Sequence, residues 1–442
     1  MALSTSPNFD EQIEALQQQP QALEDLYQQV KRQRSFDAFQ AAIRQGYANH
    51  PDNQLLAAWF YRFQAETSST FIFANNWLSA IVVGGCLGLI SWLFSDPSLT
   101  ISSLPLIVVL WAPLIAAGLI VYLAITGKRS WRWIVNAAGL LVAATAYVLV
   151  MIANGPAIIS VSQNQLLLLL HLPLVAAGAV GLYLIGPTGR GRDVHGFVWK
   201  GIETIGVAGV YVIAGGAFVG LIIGLFLAID ITPSYTILRL LAAGGAGLVI
   251  VLAAATSYQS EAAPGDQDTQ HGFARLIGVA AQVLLPLGLF ALILYLLFLP
   301  FSFFLVFTHR NSLIVYNVLL FGAVALIVAA TPLTNSMLSP TLQTWVRRGV
   351  VSLAALVILI SLHALVAILY RTFQGGLTLN RFVVIGWNVI NIGLLIAFLV
   401  GQARRSERDW VERAQDVYRA GASAYLIWGT LVVAGAPWLP SH

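Results

Sequence analysis

The sequence predicts an all-α, polytopic helical membrane protein with about eleven transmembrane helices and a small N-terminal cytoplasmic domain of amphipathic helices. Of its 442 residues, 58% are hydrophobic and only 10% are charged, and the mean hydropathy is +0.79. A soluble domain carries about a quarter charged residues, so most of this chain has to lie in lipid. The charges are also uneven: residues 1–70 contain five basic and eight acidic side chains, and residues 401–420 contain five and four.

Apolar runs long enough to cross a hydrocarbon core of about 30 Å occur eleven times. They lie at 77–94, 104–125, 133–152, 166–185, 203–229, 237–255, 276–307, 313–330, 349–370, 382–400 and 422–439. The seventh run is too long for a simple span, and Pro286 and Pro300 within it predict a kinked or broken helix. Together the runs define a transmembrane domain over residues 77–439.

The positions of lysine and arginine predict the orientation of these spans. If the N-terminus is cytoplasmic, 19 of the 23 basic residues lie on the inside, and the four others are Arg239, Arg310, Arg371 and Arg381. Because cytoplasmic loops carry the excess of basic residues, this count favours eleven spans with the C-terminus outside.

Residues 1–70 carry apolar side chains at helical spacing, which predicts four short amphipathic helices. Pro20 and Pro51 stand where the second and the fourth of these helices would begin. The excess of acidic residues is the wrong sign for binding phosphate backbones, so no nucleic-acid partner is expected. The segment is either a helical cap on the membrane domain or a module that binds a protein partner.

Two basic segments are predicted at the cytoplasmic membrane surface. Residues 186–196 have glycines at the spacing of a phosphate-binding loop, but they lack its Lys-Ser/Thr pair, and no strand precedes them. We expect Arg190, Arg192 and Lys200 to set the topology or to contact anionic lipid headgroups. Residues 401–420 combine mixed charges with an apolar stripe, which predicts a helix lying at the inner interface.

Polar side chains deep inside the predicted spans are few and uncharged, since Glu203 and Arg239 lie at span ends. No carboxylate lies near mid-span, which disfavours a carrier that works through a membrane-centred acid. Neutral polar residues occur on spans four, eight, nine and ten, namely His171, Asn317, His363, Asn388 and Asn391. Counted from the outer ends, most of them lie about 10–12 Å deep at 1.5 Å per residue. They either line an outward-opening polar cavity or hydrogen-bond across helix pairs as structural contacts.

The remaining short motifs indicate architecture rather than chemistry. Cys86 is the only cysteine and no third ligand accompanies the two membrane histidines, so we expect no metal site and no cofactor. Glycines four residues apart predict close helix packing in the first span and in the fifth, at Gly84 and Gly88 and at Gly216, Gly220 and Gly224.

The loop between spans nine and ten carries the most distinctive motif. Residues 370–381 read Tyr-Arg-Thr-Phe-Gln-Gly-Gly-Leu-Thr-Leu-Asn-Arg. The pair Gly375 and Gly376 allows a sharp turn, and Thr378 or Asn380 can cap the incoming helix. Arg381 can then lie at the level of the outer headgroups. The Gly-Leu-Thr-x-Asn-Arg pattern resembles the 4153 family of bacterial multi-spanning proteins, a domain-of-unknown-function family. The resemblance implies a bacterial plasma-membrane protein, and it assigns no catalytic residue.

Three function classes remain open. Many spans and little mass outside the membrane favour a permease-like or lipid-handling protein with an outward-facing polar cavity. A non-catalytic scaffold or complex subunit that docks through residues 1–70 is the alternative. A membrane-embedded enzyme is disfavoured because no pair of nucleophile and base is visible. The expected partners are the lipid bilayer and a protein bound by residues 1–70, and the sequence names no small-molecule substrate.

Overall fold

The computed structural model describes residues 9–33, 36–127, 129–154, 163–187, 189–227, 232–269, 272–304, 307, 310–334, 339–404 and 409–438. The chain divides into two compact units, Met1–Leu78 and Ser79–His442. The structure is helical throughout, as the sequence predicts, apart from one short hairpin within the described residues.

The first unit packs short helices around an aromatic core. Its helices are α1 (Phe9–Leu16), α2 (Pro20–Gln33), α3 (Phe36–Asn49) and the first part of α4 (Gln54–Phe94). Buried Phe39 contacts the rings of Trp59 and Phe63 at centroid distances of 6.2 and 6.0 Å. The prediction of a short fourth helix is wrong. No glycine or proline occurs between residues 54 and 83, so nothing ends α4 before it enters the first predicted span.

The second unit contains the remaining helices and a two-stranded antiparallel hairpin. The strands β1 (Thr100–Ile101) and β2 (Leu104–Pro105) are joined by Ser102 and Ser103, both with positive φ. The helices are α5 (Leu106–Thr126), α6 (Trp131–Ala153), α7 (Gln163–Leu184), α8 (Gly191–Leu227), α9 (Tyr235–Ser257), α10 (Gly272–Phe298), α11 (Arg310–Ala330), α12 (Pro340–Gly375), α13 (Leu379–Ala403) and α14 (Trp410–Gly435).

Helices occupy the predicted spans in the predicted order. Among the described residues, ten helices are long and apolar enough to cross a membrane, and α11 supplies a shorter apolar helix over Tyr316–Ala330 at the predicted eighth span. In the long seventh segment, Pro286 lies within α10. That helix ends at Phe298, and Pro300 lies in the 3₁₀ turn Leu299–Ser302 that follows. The chain is therefore a multi-pass helical membrane protein.

The helices of the second unit form two groups with separate apolar cores. One core lies among α4, α5, α6, α7 and α9, with Ala116, Leu123 and Ala179 at its centre. The other lies among α10 to α14, with Leu320, Val350 and Ala414 at its centre. Helix α14 contacts α7 and α8 as well as α13, so it joins the two groups.

Residues 401–420 do not form a separate helix, contrary to the prediction. Residues 401–403 end α13, residues 405–408 lie outside the described part, and residues from Trp410 onward begin α14. The predicted apolar stripe does exist, but Trp410, Val411 and Ala414 are buried in the core of the second helix group. The stripe therefore packs against protein because it continues into a 26-residue helix.

Glycines bring α4 and α9 into close contact. A Cβ atom added to Gly88 would lie 2.5 Å from the carbonyl oxygen of Gly244, and one added to Gly247 would lie 2.8 Å from the Cα of Gly88. Gly244 belongs to a π-helical turn, Leu240–Gly244, that widens α9 at this crossing. The packing predicted at Gly84 and Gly88 is thus confirmed.

The glycine motif of the fifth predicted span, at Gly216, Gly220 and Gly224, does not show such close packing at its first two positions. A Cβ atom added to Gly216 or Gly220 would meet no described atom within 4 Å, so these two positions on α8 make no close helix contact. The surroundings of Gly224 lie outside the described side chains.

We predict that Gly88→Ala lowers the free energy of unfolding by about 1–3 kcal/mol, the usual effect of overpacking a close contact. Gly85→Ala is the matched control, because it lies on the same helix and a Cβ atom there has nothing within 4 Å. Unfolding in mixed detergent micelles measures both variants. Equal stabilities of the two variants would contradict the close crossing of α4 and α9.

Candidate functional site

Four of the five predicted polar residues are brought together around α13. The Asn388 amide donates to the Asn317 side-chain oxygen at 2.9 Å, which links α13 to α11. The Tyr425 hydroxyl of α14 donates to the side-chain oxygen of Asn391. The indole N–H of Trp387 donates to Nε2 of His171 on α7 at 3.0 Å. These residues therefore hydrogen-bond across helix pairs.

The partners of His171 fix its tautomer. Its Nδ1 lies 2.8 Å from the carbonyl oxygen of Leu167, which only accepts, so Nδ1 carries the proton. Its Nε2 then accepts from Trp387, and the two rings stack at 5.8 Å between centroids. Both nitrogens are satisfied with a neutral ring, so the geometry suits a structural contact better than a proton carrier.

His363 lies apart from this cluster. Its Nε2 faces the carbonyl oxygen of Phe303 at 3.2 Å, and its ring packs against the ring of Phe303 at 4.5 Å. The other nitrogen, Nδ1, is buried without a hydrogen bond to any described atom. An outward polar cavity that joins His363 to the other four residues remains a prediction.

The motif between α12 and α13 forms a closed turn. Gly376 has a φ of 76°, in the left-handed region that favours glycine. Thr378 caps α13, since its side chain accepts from the backbone N–H of Arg381, whereas Asn380 lies inside the first helical turn. The Arg381 guanidinium donates to the carbonyl oxygen of Gly376 at 2.6 Å. The motif thus builds the turn itself.

A buried ion pair lies on α8. The Lys200 ammonium donates to a Glu203 carboxylate oxygen at 2.8 Å and to the carbonyl oxygen of Ser257 at 2.8 Å. Both charged side chains are only 5% exposed. Ser257 is the last residue of α9, so Lys200 satisfies a carbonyl that the helix itself leaves without a partner.

Side chains from the preceding turns of α8 form hydrogen bonds with carbonyl oxygens at the end of α11. Buried His195 places Nε2 3.2 Å from the carbonyl oxygen of Val328, and the Trp199 indole donates to the carbonyl oxygen of Ala329 at 3.3 Å. The Gln415 amide nitrogen lies 3.4 Å from the other nitrogen of His195. Side chains of α8 thus connect the ends of α9 and α11 to α14.

The three predicted headgroup contacts all have carboxylate partners. The exposed guanidinium of Arg190 is paired with the largely covered carboxylate of Asp193 at 3.3 Å, and Arg192 is paired with Asp266 at 3.3 Å. The charge of Lys200 is instead buried against Glu203. A headgroup contact by the two arginines remains a prediction, whereas Lys200 is engaged inside the protein.

An apolar groove lies between α5, α7, α8 and α9. Its volume is about 340 Å³, within the range of about 300–1,000 Å³ that small-molecule sites occupy. Trp111 and Ile205 line it and are 46% and 70% exposed, so the groove opens at the outer face of the helix group. Its walls are formed by small and branched apolar side chains, including Ala112, Ala116, Leu119, Ala176, Val180 and Ile250. Lys200 and Thr204 also belong to its lining.

A polar pocket of about 250 Å³ continues from this groove. Leu123, Leu184 and Tyr258 line both spaces, so the two are adjacent. The polar pocket lies where α5, α7 and α9 end, and Arg129 and Glu261 belong to its lining. An apolar space and a charged space therefore meet at the ends of spanning helices.

A second apolar cavity, of about 270 Å³, lies between α8, α11, α13 and α14. Asn391 and Tyr425, which are hydrogen-bonded to each other, form part of its lining. His171, Asn317, His363 and Asn388 line neither this cavity nor the groove.

The comparisons with known proteins add no family to this picture. No family model matches the chain, and neither a curated protein nor a solved structure matches it. Function therefore has to be argued from the geometry.

The residues around the groove are absent from the sequence-predicted set, apart from Lys200. Lys200 and Glu203 are three residues apart, a spacing that places them on one helix face and predicts a pair. Burial of that pair depends on α9 and its Ser257 carbonyl, 57 residues away in sequence. The nearness of Arg129 and Tyr258 likewise depends on how α5 and α9 end beside each other.

We predict that Lys200→Met lowers the free energy of unfolding by about 3–5 kcal/mol, because it leaves a carboxylate buried and unpaired. Adding Glu203→Leu should restore most of that loss, since it removes the buried charge. Arg190→Gln is the control: Arg190 directly precedes α8 and its side chain is 70% exposed, so the loss of its pair with Asp193 should change stability by about 0–1 kcal/mol. A Lys200→Met variant as stable as Arg190→Gln would refute a buried pair.

Proposed function

We propose that this multi-pass membrane protein handles lipids and that it holds the acyl part of a lipid in the groove between α5, α7, α8 and α9. One observation carries the proposal: the groove has apolar walls and opens at the outer face of the helices. In a bilayer that face borders hydrocarbon, so a lipid chain can enter sideways without crossing water.

Chain burial alone gives this groove little selectivity. Lipid tails are as apolar as leucine, so moving a tail from the bilayer into an apolar groove has almost no hydrophobic driving force. Retention then depends on close packing along Ala176 and Ala177 and on polar contacts at the end of the groove. A permease-like role through an outward polar cavity has less support, because the residues proposed for it mostly hydrogen-bond to one another.

We also propose that the chain is a bacterial plasma-membrane protein of the 4153 family, with its N-terminus cytoplasmic and its C-terminus outside. The distribution of basic residues supports the orientation. With this orientation α5, α7, α9 and α11, which are even-numbered predicted spans, all end on the cytoplasmic side. The motif at 376–381 supports the family.

The alternative function is a membrane scaffold or complex subunit that docks through residues 1–70. One observation favours it. The first unit has its own core, including Phe9, Leu23 and Phe39, and so holds a defined shape that a partner could recognise. Co-purification of a stoichiometric partner that is lost on deletion of this unit would support the alternative.

We predict that a phospholipid carrying a diazirine on its acyl chain crosslinks to peptides of α5 and α7 that line the groove. Ala177→Phe should lower that yield severalfold, because the new ring occupies the groove from an exposed wall position. Ala143→Phe is the matched control, since Ala143 is an exposed alanine on α6 that does not line the groove. Mass spectrometry of the digested protein locates the crosslinks.

Two results would contradict the proposal. One is crosslinking spread evenly over all exposed helix faces, as expected for bulk lipid. The other is an equal yield of groove peptides from the Ala177→Phe and Ala143→Phe proteins.

A further inference from the structure

Two hydrogen-bond donors in the polar pocket beside the groove have no partner among the residues that the structure describes. The hydroxyls of Tyr183 and Ser260 are engaged, since they donate to the carbonyl oxygens of Leu123 and Thr126 at 3.1 and 3.2 Å. Tyr258 differs: it is 9% exposed, and its buried hydroxyl makes no hydrogen bond to any described atom. A buried donor without a partner costs about 1–3 kcal/mol, so an acceptor in this pocket would be stabilised.

Arg129 supplies the second donor and the charge. It lines the same pocket, it is exposed, and it forms no ion pair with a carboxylate in the part of the chain that the structure describes. Burial raises the pKa of Tyr258, and the positive charge of Arg129 opposes that rise. Because Arg129 and Tyr258 line the same pocket of about 250 Å³, both can act on one bound group.

The position of the pocket points to the source of that group. It lies at the ends of α5 and α9, at Thr126 and Ser257, where a spanning helix meets the headgroup layer. Tyr258 belongs to the lining of the pocket and of the groove, so a ligand with a polar end in one and an apolar end in the other passes that side chain.

We infer that the polar pocket binds the phosphate of a glycerophospholipid whose acyl chain occupies the groove, with the Arg129 guanidinium and the Tyr258 hydroxyl as donors. The inference rests on the proposed lipid-handling function and names its ligand. Guanidinium and phosphate match in charge and in planar fork geometry. The exposed carboxylate of Glu261 also lines the pocket, so the charge balance suits a phosphodiester with one negative charge better than a phosphomonoester.

Native mass spectrometry of the full chain in detergent, titrated with phosphatidylethanolamine, tests the inference. Arg129→Gln should weaken lipid binding about tenfold, the loss expected for a hydrogen-bonded charge contact. Tyr258→Phe should weaken it severalfold, because it removes only the hydroxyl. Arg132→Gln is the matched control: Arg132 is an exposed arginine at the start of α6, it lines neither space, and its loss should leave binding unchanged.

The outcomes separate this inference from the function on which it rests. If Arg129→Gln binds as well as Arg132→Gln while Ala177→Phe binds less, the phosphate site is refuted and the groove stands. If Ala177→Phe also binds normally, the proposed function fails as well. Displacement of the bound lipid by inorganic phosphate at equal concentration would show a site for free phosphate and would overturn the lipid assignment.

Discussion

The ends of helices inside an apolar medium impose the constraint on which this structure depends. The last carbonyls of a helix have no partner within it, and a helix end that is buried in the protein has no water to replace one. Here the side chains of α8 supply the missing donors, since Lys200 serves α9 through Ser257 while His195 and Trp199 serve α11. The charge of Lys200 is balanced by Glu203, which makes its burial tolerable. One helix therefore supplies partners for the ends of two others, α9 and α11.

The groove and the polar pocket are consequences of the same arrangement. Because α5 and α9 end close together, the chain after each of them is available to surround a pocket, which brings Arg129 beside Tyr258. Alanine and other small side chains line the groove between these helices, which leaves an unfilled space beside their core. The groove can take the acyl chain of a lipid, and the adjoining polar pocket, with Arg129 in its lining, can take the headgroup.

Hydropathy predicted the spans well because it reports what a bilayer demands of a helix. The prediction from composition was wrong for residues 410–420, whose mixed charges are typical of an interfacial helix. In the structure Trp410 and Ala414 are buried against neighbouring helices. The polar residues at His171 and Asn388 could be found from sequence because they interrupt apolar runs, but the choice of partners, such as Trp387, could not. The groove could not be predicted from the sequence, because alanine and leucine line cavities and cores alike.

The most direct test of a lipid-binding groove is an electron cryomicroscopy map of the full chain in nanodiscs of bacterial phospholipids. We predict rod-shaped density between α5, α7, α8 and α9 that continues to a headgroup within hydrogen-bonding distance of Tyr258 and Arg129. A map in which that space is closed by side chains would contradict it. So would a map in which the space is empty while ordered lipid is visible elsewhere on the protein.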